Sequence, residues 1–195
     1  MNISKTNKIK KIYLKIKYKN IIFGDNVNIL GKLPYFKLFK GSSCNIGNNV
    51  VINSDFKNSN TSLSNRCKFV LGYTGSLSIG ENSMLNGCCI TAYKNIQIGK
   101  NCQIASFTLI TDTDFHPVNP LEREKQVKRE KYDINTVNKR DVIIGDNVWI
   151  GWGSIILKGS VIGNNSVVGA GSLVSGKFPD NVVIGGNPAK IIKEI

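Results

Sequence analysis

His116 is the only histidine of this 195-residue chain. An imidazole titrates near neutrality, so it is the side chain best suited to take up a proton and give it back at ordinary pH. It stands in the run Asp112-Thr113-Asp114-Phe115-His116-Pro117-Val118-Asn119-Pro120. Asp112 and Asp114 are close enough in sequence to orient the ring, and Asp114, two residues back, projects to the same side in an extended segment. Pro117 stiffens the chain behind it. A lone histidine is more often solvated or structurally satisfied than catalytic, so its weight depends on where the fold presents it. One histidine rules out a zinc site built on three of them, and no metal is expected. The five cysteines are odd in number and lack the spacing of a zinc site or a disulfide framework, which suits a reduced cytosol. Cys89 and Cys102, four residues after Leu85 and Ile98, read as small buried fillers.

The element that must position His116 is written in the last third of the chain. An aliphatic residue returns every six places at Ile144, Ile150, Ile156, Ile162, Val168 and Val174, and a compact one sits four places on at Val148, Ser154, Ser160, Ser166 and Ser172. Neither a helical period nor simple alternation needs a marker at every sixth residue. A short flat strand and a turn of constant length do, stacked into a β-solenoid with the aliphatic ladder inside. The recurring Ile-Gly-x-Asn at Ile46, Ile79, Ile98, Ile144 and Ile162 supplies corners, because glycine and asparagine tolerate corner conformations.

The beat is weaker at Phe23 to Val27, is separated by irregular segments with Pro34 and several aromatics, and slips by one residue after Leu85. It vanishes between Thr111 and Asp141, where Pro117, Pro120 and a charged run from Glu122 to Lys131 predict a loop over 112–140 extruded from the stack. Residues 1–20 carry Ile9, Ile12, Tyr13 and Ile16 among seven lysines. They read as a cap or first strand closing the solenoid, or as a basic amphipathic element touching an anionic membrane. Residues 21–187 then form the domain and 188–195 a short tail. No apolar run is long enough to cross a bilayer, lysines interrupt any secretory segment, and a cytoplasmic protein, at most touching the inner membrane face, is expected. The net charge of +13 attracts phosphates, anionic glycans, nucleic acid or a membrane surface. Nucleic acid is not expected as a partner, since the lysines are not interleaved with stacking aromatics.

Thr113 to Pro117, Lys139 to Gly151 with Asp-Asn-Val-Trp-Ile-Gly at its end, Ile156-Leu157-Lys158-Gly159, and the tail Ile184 to Ile192 together resemble the hexapeptide-repeat acyltransferases. Within that family the resemblance is to sugar O-acetyltransferases that act on galactosides, maltose and polysialic acid capsules. It covers about the C-terminal 120 residues, while the first 75 depart from the pattern. The resemblance implies an all-β, left-handed parallel β-helix. It also implies a homotrimer with active sites between subunits, acetyl-CoA as donor and a saccharide acceptor.

By the same resemblance His116 is the general base, steadied by Asp114 unless that residue is a turn or acceptor contact. Asn86 and Trp149 touch the acceptor, Trp149 being equally a packer between subunits. Gly151, Trp152 and Ala170 line the pantetheine channel, and Lys158, Lys177, Lys190 and Lys193 face the phosphates. Trp152 departs from the small residue usual there. Amino-group transfer to a nucleotide-linked sugar and a non-catalytic scaffold remain as alternatives.

Overall fold

The computed structural model describes residues 3–55 and 65–195, with side chains described from Thr6 onward. The first two residues of the expected N-terminal cap therefore lie outside the described residues. Up to Val182–Gly186 the strands form three parallel sheets, each joining every third strand in chain order, so that successive strands turn a corner and the chain stacks on itself coil by coil. The first face runs from Ile21–Phe23 through Ser43–Ile46, Ser76–Ile79, Asn95–Ile98 and Val142–Ile144 to Lys177–Phe178. The second includes Met84–Asn86, Gln103–Ile104, Trp149–Ile150 and Val182–Gly186, and the third includes Tyr35–Leu38, Lys68–Leu71, Cys89–Ala92, Leu109–Thr111 and Ile155–Ile156.

The six-residue beat maps directly onto this geometry. Ile144 lies on the first face, Ile150 on the second and Ile156 on the third, and Ile162 returns beneath Ile144. Each face thus carries an internal column: Ile46, Ile79, Ile98, Ile144 and Ile162 on the first, Ile52, Leu85, Ile104, Ile150 and Val168 on the second. All of these side chains are buried, each contributing about 1.5–3 kcal/mol by leaving water. The compact slots are inside too. Ser154 and Ser160 are buried and donate to the Gly169 and Val174 carbonyls at 3.0 and 3.1 Å, so their hydroxyls are satisfied within the core.

The corners explain the Ile-Gly-x-Asn signature. Asn26, Asn49, Asn82, Asn101, Asn147, Asn165 and Asn181 all have φ between 53° and 59°. Asparagine is among the few residues other than glycine that enter this left-handed region at low cost. Their side chains stack, Asn147 Nδ2 donating to Asn165 Oδ1 at 3.1 Å and Asn165 Nδ2 to Asn181 Oδ1 at 3.0 Å. The glycine two places earlier has a steric reason: a Cβ on Gly80 would sit 2.5 Å from the carbonyl carbon of Gly99 in the next coil.

The irregular early segment still builds full coils. Phe36 and Phe69 occupy the third face's internal column, their rings stacked at 4.8 Å, so aromatic bulk replaces the aliphatic ladder there. The slip after Leu85 is a corner one residue short, made at Gly87 with φ +48°. It moves the expected filler position: Cys88 is buried and Cys89 is only half-buried on the outer side of its strand, so the reading of Cys89 as the filler is corrected. Cys102 is buried as expected, and burial pushes its thiol pKa up.

The ends are closed by different devices. A helix, α1 (Ile3–Lys17), covers the first coil. At the other end Ala189–Glu194 folds back antiparallel on Val182–Gly186. Among the described residues no helix is long and apolar enough to cross a membrane.

Candidate active site

Residues 112–141 contribute no strand to the three sheets. The excursion is pinned at its root: Thr113 bridges Lys139, the Asp114 amide donates to the Asn138 carbonyl at 3.1 Å, and the Arg140 amide donates to the Asp112 carbonyl at 2.9 Å. Beyond the root, and within the stretch expected as loop, stands a two-turn helix, α2 (Pro120–Val127). The loop reading missed it, although its start carries a local signal. Asn119 accepts from the Leu121 and Glu122 amides, and Pro120 fills the first position, where its missing N–H is no loss.

His116 lies between root and helix. Its amide donates to the Asp114 carbonyl at 2.7 Å, and Phe115 before it is held at φ +63°, a conformation unfavourable for an aromatic residue. The ring is exposed, and its Nδ1 meets Gln126 Oε1 of α2 at 2.7 Å. Gln126 Nε2 in turn donates to the Tyr132 hydroxyl at 2.9 Å and, more weakly, to the Phe115 carbonyl at 3.5 Å. A carbonyl can only accept, so the amide nitrogen faces Phe115 and the amide oxygen faces the histidine. With the amide so assigned, the neutral ring carries its proton on Nδ1, which leaves the lone pair on Nε2.

The two aspartates do other work than orienting the ring. Asp112 is fully buried, where it accepts from the Tyr93 amide at 2.8 Å and the Lys94 amide at 2.7 Å. Burial pushes its carboxyl pKa up, and the amide bonds counter part of that rise. Asp114 pairs with Lys158 at 2.5 Å and accepts from Asn138 Nδ2 at 3.2 Å. Within one chain the expected Asp114–histidine contact is thus replaced by Gln126. The reason is topological: α2 returns over the ring, whereas the reversal at Phe115 turns Asp114 back toward the coil. Lys158 is likewise engaged as an anchor of the excursion.

The remaining expected residues lie elsewhere. Trp149 projects outward from the second face and is exposed, in register with Gln103 and Val167. Asn86, on the same face, is half-buried, accepting from Asn53 Nδ2 at 3.0 Å. Gly151 is packed against the next coil, where an added Cβ would lie 2.6 Å from the Ala170 nitrogen, and Ala170 itself is exposed. Trp152 is exposed at the corner between the second and third faces, its ring 5.4 Å from that of Phe107. Lys177, Lys190 and Lys193 are exposed near the last coil, the latter two on the returning strand.

Apart from Trp149 and the lysines near the last coil, these positions fall into two groups on opposite margins of the third face. His116, Asp114 and Lys158 sit where it turns into the first face; Gly151, Trp152, Ala170 and the corner after Asn86 sit where it is entered from the second. Beside that second margin a groove of about 380 Å³ opens, lined by Tyr35, Arg66, Lys68, Phe107 and Leu109. The Arg66 guanidinium lies 3.8 Å from the Tyr35 ring centre and donates to the Leu33 carbonyl. Sequence reading missed Arg66, Lys68 and Phe107. Tyr35 and Lys68 share one outward column of the third face, a relation visible only once the coils are in register. Among the described residues no three His, Cys, Asp or Glu side chains are grouped to hold a metal ion.

Residues 141–176 match the family model described as bacterial transferase hexapeptide (six repeats). That stretch carries the hexapeptide repeat. This hexapeptide-repeat protein is 37% identical over 126 residues to the polysialic acid O-acetyltransferase of Escherichia coli O1:K1 / APEC, covering 65% of this chain and 36% of that one. It spans between 36% and 61% of the length of the first curated relatives it matches. Among solved structures, galactoside acetyltransferase in complex with coenzyme A matches with a TM-score of 0.56 and 34% identity over 68% of this chain and 61% of that one. AntD, an N-acyltransferase from Bacillus cereus in complex with dTDP and 3-hydroxybutyryl-CoA, matches with a TM-score of 0.65 and 25% identity over 97% of this chain and 87% of that one.

Proposed function

We propose that this protein moves an acetyl group from acetyl-CoA to a hydroxyl of a sugar, in a surface polysaccharide or its precursor, with His116 as the base. The observation that carries the reading is the exposed ring of His116, with Nδ1 occupied by Gln126 and Nε2 left to accept. It stands beside a solenoid that resembles a coenzyme A-bound sugar acetyltransferase. A hydroxyl is a poor nucleophile until its proton leaves. In the proposed step Nε2 takes that proton as the sugar oxygen bonds to the thioester carbonyl carbon; the carbon–sulfur bond then breaks, and the imidazolium returns a proton to the departing thiolate. Such a base contributes about 10²- to 10⁴-fold, and the rest comes from alignment and from backbone amides at the oxyanion.

A left-handed coil and a homotrimer complete the proposal. Three prisms side by side would set the His116 margin of one subunit against the second-face and corner residues of its neighbour, which no single chain brings together. Asn86, Trp149 and the groove beneath Phe107 then receive the saccharide, with Arg66 and Lys68 suited to an acidic one. Gly151, Trp152 and Ala170 line the pantetheine path, and Lys177, Lys190 and Lys193 face the phosphates. Lys158 serves there only if it leaves Asp114. Residues 1–20 act as cap, 21–187 as the acyltransferase domain, 188–195 as tail, and the reaction is intracellular. Amino-group transfer to a nucleotide-linked sugar is the second reading, favoured by the match of AntD over nearly the whole chain.

Release of free thiol from acetyl-CoA, monitored with sialic acids, neutral sugars and nucleotide-linked amino sugars, tests both. Thiol release with hydroxyl-only acceptors that is lost in His116→Ala supports O-transfer. Release confined to amino sugars would move the assignment to N-transfer, and wild-type turnover by His116→Ala would remove the histidine as base.

A further inference from the structure

Helix α1 meets the first coil along one side only. Leu14 is buried, the Asn7 side chain donates to Asn28 Oδ1 and accepts from the Ile29 amide, and the Lys10 ammonium donates to the Ile29 and Gly31 carbonyls. Just past the helix, the Tyr18 hydroxyl donates to the Phe36 carbonyl. Positions 7, 10, 14 and 18 form one stripe of a helix, and this stripe satisfies backbone groups on the open edge of the first coil. The opposite stripe faces away from the solenoid. It carries Ile9, Ile12, Tyr13 and Ile16, with 59%, 49%, 49% and 75% of their surface exposed.

Those four residues also recur at helical spacing, so α1 has two faces and the solenoid uses one. Cations flank the unused face. Lys8, Lys11 and Lys15 line a groove of about 260 Å³ between the helix and the corner at Phe23 to Asn26. No acidic residue precedes Asp25 in the chain, while lysines stand at 5, 8, 10, 11, 15, 17 and 19. A second copy of so basic a face would be repelled. Nucleic acid would match the lysines but leave the isoleucines in water. A surface of anionic headgroups over an apolar interior matches both, with the isoleucines and tyrosine at the acyl boundary and the lysines on headgroup phosphates.

We propose that the outward face of α1 is a docking surface for anionic phospholipid bilayers, on which the solenoid stands end-on with its first coil toward the lipid. This does not depend on the chemistry proposed above. The test is cosedimentation of the full-length protein with sucrose-loaded vesicles of phosphatidylcholine, with and without phosphatidylglycerol, at low and high salt. Partition onto phosphatidylglycerol vesicles, weakened by salt and absent on phosphatidylcholine alone, is the expected result. Ile12→Ser/Ile16→Ser and Lys8→Gln/Lys11→Gln/Lys15→Gln should each lower it about tenfold or more, with thermal midpoints unchanged. Tyr13→Trp keeps the idea open to refutation if either variant misfolds: the fluorescence it adds to that of Trp149 and Trp152 should be quenched by brominated lipid. No binding, equal binding to both vesicle types, or an unquenched Trp overturns the proposal. Tight binding to an oligonucleotide that survives Ile12→Ser/Ile16→Ser, without vesicle binding, would reassign the face to nucleic acid.

Discussion

The prism from Val142 onward and the excursion at 112–141 are built on opposite principles. In the prism every element repeats: the same aliphatic column, the same buried serine slot and the same left-handed asparagine recur with each coil, and each coil satisfies the backbone of the one before. In the excursion nothing repeats, and its shape rests on single bonds: a capped helix, one isolated bridge, the Asp114–Lys158 pair and the Gln126–His116 contact. A repeat buries its side chains and presents a uniform exterior. A departure from it can expose one imidazole in a strained reversal, held on one nitrogen and open on the other. Rigidity is supplied by the first region and individuality by the second.

Damage to the two regions should therefore read out differently. His116→Ala should lower thiol-releasing turnover by about 10²- to 10⁴-fold while leaving the melting curve in place. A fall in melting temperature matching the loss of activity would show instead that the excursion is structural. In the coils ahead of the excursion, where the same corner recurs, Gly80→Ala drives a methyl against the Gly99 backbone and should cost roughly 3 kcal/mol or more, read as a lower denaturation midpoint. An unchanged midpoint would mean that the corners are looser than their spacing implies.

Asp112 ties the excursion to the coil before it. Asp112→Ala leaves the Tyr93 and Lys94 amides without their acceptor and should cost about 2–4 kcal/mol. Its folded carboxyl pKa is raised above the ordinary value of 3.8, so the folded state binds more protons and stability from this group falls as pH rises from 3.8 through the raised value. Denaturation across that window should show the slope in the wild type and lose it in Asp112→Asn.

Gln126→Leu should lower kcat roughly tenfold with little effect on KM, because the ring loses its tether but not its lone pair. Gln126→Glu sharpens the point: a carboxylate on Nδ1 favours the imidazolium, so the acidic limb of the pH–rate profile should move to higher pH. A profile unmoved by Glu would demote Gln126 to a packing residue. The smallest effect belongs to Lys158→Met, which breaks a half-exposed pair and should cost about 1 kcal/mol or less in stability.

The solenoid was legible because periodicity is a statement about the whole chain: Ile144 to Val174 can share a core only if the coils have one length. The corner asparagines were legible for a local reason, since few residues enter the left-handed region cheaply. The Asn119-Pro120 helix start is also a local signal, but it was passed over because the charged run that follows reads as loop. Cys88 could not be told from Cys89 until the shortened corner at Gly87 was seen.

Sequence alone determined the stack, its corners, the place where it is interrupted and the identity of the one imidazole, because each is set by spacing along the chain. Tertiary structure decided what that imidazole touches. Gln126, ten residues on, holds it because α2 folds back over the ring, while Asp112 and Asp114 are drawn off to backbone amides and to Lys158. Side-chain partnership across an irregular segment depends on distances in space, and no period encodes those.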